Sequence, residues 1–195
     1  VEYLGVNIDK IRIGKELIAL DKIRLKNLVF DLKFDSAGVM NLQFILDAFG
    51  SEPDTTVSNS DWKIKCDKII IENSSFGYFI PDTNLVGYGI NFNDLKVSSI
   101  NLNAKNLIIA GNSIMLDVDS LSLMDKSGFR VKKLQSNIFY GNTRLDLNKF
   151  GLITDNSRIF FEKLKLTYAS LDDFDDFANK IKFNLLISDS TMVGL

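Results

Sequence analysis

Apolar residues in this chain of 195 recur two apart, step by three, and then resume two apart. Ile8, Ile11 and Ile13 begin the pattern, and Leu20, Ile23, Leu25, Leu28, Phe30, Leu32 and Phe34 repeat it. It returns at Ile64, Cys66, Ile69 and Ile71, and again at Ile90, Phe92, Leu95, Val97, Ile100 and Leu102. Side chains of a flat strand alternate with period two, so a step of three throws the residues that follow onto the opposite face. A bulge or corner at each step returns them to the first face. The pattern therefore predicts a curved or coiled β-sheet with one long apolar surface.

The steps share a composition. Asp-Lys-Ile occurs at 9–11, 21–23 and 67–69, and related breaks are Asn93-Asp94-Leu95, Asp119-Ser120-Leu121 and Lys132-Lys133-Leu134. In this reading the polar pair turns to solvent and the flanking Ile or Leu turns inward. The spacing is too irregular for a standard solenoid. Residues 1–34 read as strands, followed by strands at 62–71, 75–81, 86–97, 99–110, 113–124, 128–140, 144–153 and 157–169. Short connections such as Pro81-Asp82-Thr83-Asn84, Gly111-Asn112, Asp125-Lys126-Ser127-Gly128, Gly141-Asn142 and Asp155-Asn156 favour antiparallel hairpins. Two stretches change period. Leu42, Ile45, Leu46 and Phe49 make one helical stripe over 41–49, with Asn41 as N-cap and Gly50 as stop. Leu171, Phe174, Phe177, Ala178 and Ile181 make another over 171–181, capped by Ser170 with Asp173 completing a box. Residues 51–60 are a polar loop, and 182–188 a final strand. The expectation is a single β-rich segment over 1–195: mainly β, an elongated, curved antiparallel sheet (groove, taco or coiled β) with two short helices.

Composition narrows the chemistry. The chain has no histidine, one cysteine, and a net charge of −2 with acids and bases interleaved. That removes His-dependent triads and His-containing zinc sites, and an intrachain disulfide. It speaks against a nucleic-acid module or a polybasic lipid-headgroup surface. Cys66 falls on the repeating apolar face and reads as a buried structural thiol. Asp172, Asp173, Asp175 and Asp176 lack the spacing of a calcium loop and suit the start of a helix. Gly87-Tyr88-Gly89 reads as a strand bend rather than a phosphate loop. Asn73-Ser74-Ser75 fits a common glycosylation triplet. No nucleophile motif, cofactor motif or metal-ligand cluster stands out. No apolar run reaches the roughly 18 residues of a bilayer span, and no charged-then-apolar leader opens the chain. Because the first residue is Val, the chain reads as a piece of something longer.

What is left is the apolar surface, which either closes over a dry core or stays open as a trough. Monomers rarely leave more than a few hundred Å² of contiguous apolar surface bare, so an open trough implies a ligand or partner. Acyl chains suit such a trough, since each buried CH₂ contributes about 0.8 kcal/mol without a directional partner.

Three stretches resemble one family in order and spacing. Ser36-Ala37-Gly38-Val39-Met40-Asn41-Leu42-Gln43-Phe44-Ile45-Leu46-Asp47-Ala48-Phe49 resembles the short helix after the early strand pair of AsmA-like proteins, especially the TamB branch. Trp62 to Tyr78 resembles their strand–break–strand unit, and Ser170 to Phe177 a helix they carry further on. The resemblance implies a segment of a periplasmic protein anchored to the inner membrane by an N-terminal helix that this chain lacks. It implies a non-enzymatic role, with no cofactor, in intermembrane phospholipid transport and outer-membrane assembly. The implied partners are phospholipid acyl chains, the inner membrane and an Omp85-type outer-membrane barrel, with no nucleic acid. The groove-facing candidates are Leu25, Phe30, Ile69, Ile71, Phe92, Val97, Leu102, Leu121, Leu123, Leu147 and Phe161. The alternatives are a closed-core β-module that scaffolds an outer-membrane or surface assembly, and a glycan-acting β-enzyme.

Overall fold

A computed structural model describes residues 3–12, 17–41, 63–81, 90–188 and 191–193. The strands are β1 (Tyr3–Arg12), β2 (Leu17–Lys26), β3 (Val29–Lys33), β4 (Lys63–Phe79), β5 (Asp94–Ala110), β6 (Ser113–Asp125), β7 (Arg130–Gly141), β8 (Arg144–Thr154), β9 (Arg158–Thr167) and β10 (Lys182–Ile187). They form one elongated, curved sheet in the order β1-β2-β4-β5-β6-β7-β8-β9-β10, with β3 pairing β4 beyond the end of β2. The sheet does not close on itself. The surface area of the whole chain is 13408 Å², against roughly 9,300 Å² for a compact monomer of this mass.

From β4 to β9 every pairing is antiparallel, as the short turns predict, and β10 also pairs antiparallel with β9 after a longer connection. The exceptions are β2 and β3, which run parallel to β4. A parallel neighbour needs a long crossover, and residues 34–62 supply it. Two pairs of expected strands turn out to be single long ones. Residues 62–71 and 75–81 merge into β4, and 86–97 and 99–110 contribute to β5. The small polar residues between them bend the strand instead of reversing it, with Asn73 at φ 44° and Ser99 at φ 53°. Asn73 is thus mid-strand, and its side-chain amide donates to Asn27 Oδ1 at 2.7 Å.

The register shows that the step of three preserves the face. Ile109 pairs with Ile114, and Ala104 with Val118. Ile114, Leu116 and Val118 alternate regularly and share a side, so Ala104 and Ile109 share it too, although they are five apart. The extra residue sits at Lys105-Asn106, where Asn106 has φ 56°. Asp67-Lys68 in β4 takes the same three-residue step in register with β5, with no shift between the two strands. Extra residues enter again at Asp119-Ser120 in β6, at Lys132-Lys133 in β7, and at Asn148-Lys149 in β8, where Lys149 has φ 51°. Each is a bulge that realigns the side chains that follow.

The expected helix at 171–181 is a 3₁₀ segment (Leu171–Asp176) running into a single α-turn (Phe177–Lys180), together α1. Ser170 is its N-cap, and the Asp173 carboxylate accepts from the amides of Ala169 (2.7 Å) and Ser170 (3.2 Å). The tighter winding rotates the intended stripe, so Leu171, Phe174 and Phe177 stay exposed while Ile181 is buried. Ile181 packs with Leu166 and Tyr168 against Leu145 and Leu164, and the Tyr168 hydroxyl donates to Gly141 O at 2.8 Å. This cluster covers one end of the sheet. The expected helix over 41–49 lies, beyond Asn41, outside the described residues. So do the loop at 51–60, Gly87-Tyr88-Gly89 and most of the 81–84 turn.

Candidate functional site: an uncovered apolar face

Ladder partners point to the same side of a sheet, so registers can be read across it. One row runs Leu4–Leu25–Ile71–Leu102–Leu121–Leu134–Leu152–Ile159, from β1 to β9 without a polar residue. A second runs Ile18–Ile64–Ile109–Ile114–Tyr140–Leu145–Leu166–Phe183, from β2 to β10. Between them lie Leu116–Ile138–Leu147–Leu164–Leu185 and Phe150–Phe161–Ile187. Nine strands spaced 4.7–4.9 Å apart make this face roughly 38 Å wide.

The sequence candidates sit on it as follows. Leu25, Ile71, Leu102 and Leu121 lie in the first row; Ile69 is one ladder step away, on the row of Ala104 and Val118. Leu123 pairs with Val131. Leu147 and Phe161 lie in the rows between, and the Phe161 ring stacks on Phe150 at 4.3 Å. Phe30 pairs with Phe76, which pairs with Val97, and the two phenylalanine rings stack at 6.0 Å. Phe92 is the exception. It lies in a turn before β5, 72% exposed, because Asn91 accepts from the amides of Asn93 and Asp94 and so delays the strand. Most of these side chains are only partly buried, since no second layer of described residues covers them.

The deepest positions on this face are small, and sequence reasoning missed most of them. Cys66 is fully buried, and Ala104, Val118 and Ser136 nearly so. Ala104, Val118 and Ser136 are one row, beside the bulges. The signal was their spacing: Ala104 is two after Leu102, and Ser136 two after Leu134. The polar members of the face turn inward on the backbone. Ser136 Oγ donates to Asn148 O at 3.3 Å, and Ser74 Oγ donates to Glu72 O at 3.0 Å while accepting from the Leu28 amide. Asp125 lies at a hairpin end. Burial pushes its carboxyl up, but donors from Ser127 and the backbone amide of Lys126 outweigh this and hold it below the usual range.

The opposite face is mostly charged and hydrogen-bonded. Lys105 pairs with Asp119 at 2.7 Å, which holds its ammonium above the usual value. Asn106 and Asn137 both donate to Asp117, at 2.7 and 2.6 Å. Arg24 meets Glu72 at 2.8 Å, Lys132 meets Asp155 at 2.9 Å, and Lys126 pairs with Asp94. Two of its aromatic rings have local partners: Arg144 lies over the Phe139 ring at 4.3 Å, and the Phe160 ring lies where a side chain on Gly151 would project. Among the described residues no group of His, Cys, Asp or Glu could hold a metal ion, and no helix is long and apolar enough to cross a membrane. The arrangement is therefore two-sided, with one surface suited to apolar ligands and the other to water. Comparison of this chain with protein-family models, curated proteins and solved structures returned no match.

Proposed function

We propose that this chain is a non-enzymatic segment of an envelope protein that shelters phospholipid acyl chains on its apolar face. Its work would be intermembrane phospholipid transport and outer-membrane assembly. The observation that carries the reading is the set of apolar rows that cross the sheet and, away from the Ile181–Tyr168 cluster, have no second layer of described residues over them. Acyl chains would lie along these rows while headgroups stay in water, each sheltered CH₂ contributing about 0.8 kcal/mol. The partners in this reading are phospholipid acyl chains, the inner membrane, and an outer-membrane barrel of the Omp85 type, with the segment itself in the periplasm. An open sheet supports a trough over the closed-core scaffold. The test is native mass spectrometry of protein purified from a bacterial host. Co-purifying phospholipid that is lost in the double variant Leu102→Glu/Leu121→Glu, with the sheet intact by circular dichroism, is the expected result. Lipid-free wild-type protein that also fails to take up phospholipid from vesicles overturns it.

A further inference from the structure

The two edges of the sheet differ. The β1 edge is interrupted by register shifts between Asn7 and Lys10, and its sequence carries Asp9, Lys10 and Arg12. Bulges and charges are the usual means of keeping another strand from pairing with an edge. The β10 edge has neither device. Its one charge is Lys182, at its start, and the shift in its pairing comes from an extra residue in β9, Glu162, not in β10. Beyond β10, Met192 pairs with Arg158 of β9, so β9 is covered there, while β10 is the last strand of the sheet among the described residues. Three apolar rows run out at this edge, ending on Phe183, Leu185 and Ile187, which are 63%, 41% and 59% exposed.

We infer that β10 pairs antiparallel with β10 of a second copy, extending one apolar face across both chains. The strand is self-complementary. With Leu185 opposite its own equivalent, Phe183 meets Ile187 on the apolar side and Asn184 meets Leu186 on the other. Lys182 then falls opposite Ser188 and not opposite another lysine, so no like charges meet across the pair. Because ladder partners share a side, both apolar faces point the same way and the rows run on across the two-fold axis. A β10–β1 pairing would instead set apolar residues against a bulged, charged edge and propagate without closing. A single strand pair is a small interface, so association is expected to be concentration-dependent.

The inference does not rest on lipid binding, and its test does not read lipid. Light scattering over about 1 µM to 1 mM is expected to move from the mass of one 22.0 kDa chain toward twice that value, with Leu185→Lys held at the monomer and unchanged in circular dichroism. Position is tested by Leu185→Cys. Antiparallel partners have Cα atoms about 4.5–5.5 Å apart, within disulfide reach, and the native Cys66 is fully buried and does not compete. Mild oxidation should cross-link Leu185→Cys and leave Asn184→Cys single. Monomer at every concentration, open-ended polymer, or cross-linking by Leu121→Cys on the face in place of Leu185→Cys each overturns the inference.

Discussion

Replacing Leu121 by Ala separates an uncovered face from a closed core by magnitude. Leu121 lies mid-sheet, between Leu102 and Leu134 in the longest apolar row, and is partly buried. The substitution removes three carbons, worth about 2.4 kcal/mol if fully buried at roughly 0.8 kcal/mol each. Taking about two-thirds of that surface as buried leaves about 1.6 kcal/mol. No cavity cost is added, because an open face leaves no enclosed void. Under a second layer the same change would cost about 3–5 kcal/mol, transfer and cavity together. Urea unfolding followed by circular dichroism reads the difference. With a slope near 2 kcal/mol per molar, the midpoint should fall by about 0.8 M. A fall of about 1.5 M or more at unchanged slope would refute the reasoning and place a covering layer over the row.

Three further outcomes are expected. Asn73→Ala should cost about 1–2 kcal/mol in urea unfolding, through its left-handed backbone and the lost bond to Asn27, and Asn73→Gly should recover about half of it. Tyr168→Phe should cost about 1 kcal/mol by losing the bond to Gly141. Burial holds the Tyr168 phenol above its usual value, followed by the effect of Tyr140, so the wild type binds this proton more tightly when folded. Its stability should fall as pH rises past about 10, and this component should vanish in Tyr168→Phe. Backbone donors from Ala169 and Ser170 hold the Asp173 carboxyl below its usual value. That contribution is present above pH about 4 and is lost as pH falls below it; Asp173→Asn should flatten this part of a thermal-melt pH series.

The apolar face was legible because its information is local. Alternation fixes which side chains share a side, and the polar doublets mark where an extra residue enters, so Ile69 and Ile71 or Leu121 and Leu123 can be placed without knowing their neighbours. The strand count was less legible. Asn73-Ser74-Ser75 and Ser98-Ser99 have the composition of turns, and only the φ of Asn73 and Ser99 distinguishes a bend from a reversal. The parallel pairing of β2 with β4 joins residues more than 40 apart, beyond any local pattern. The α1 segment shows the reverse difficulty. Its stripe and cap were readable, but four aspartates in the first turns, one bound to the preceding amides, went with a 3₁₀ winding that periodicity alone does not reveal. Phe92 was misplaced because Asn91 ends the turn with its own side chain.

The staggered bulges carry a consequence for how such a chain tolerates change. Between Ala104 and Ile109 the extra residue of β5 stands against an uninterrupted stretch of β6, and the arrangement is reversed where β6 carries its own at Asp119-Ser120. Losing one residue from a doublet would invert everything downstream in that strand, turning lysines toward the grease and leucines toward water. Whole hairpins, by contrast, could be gained or lost without disturbing their neighbours' orientation. Length variation in this architecture should thus come in units of paired strands, and single-codon deletions inside a strand should be the rarest lesion it survives.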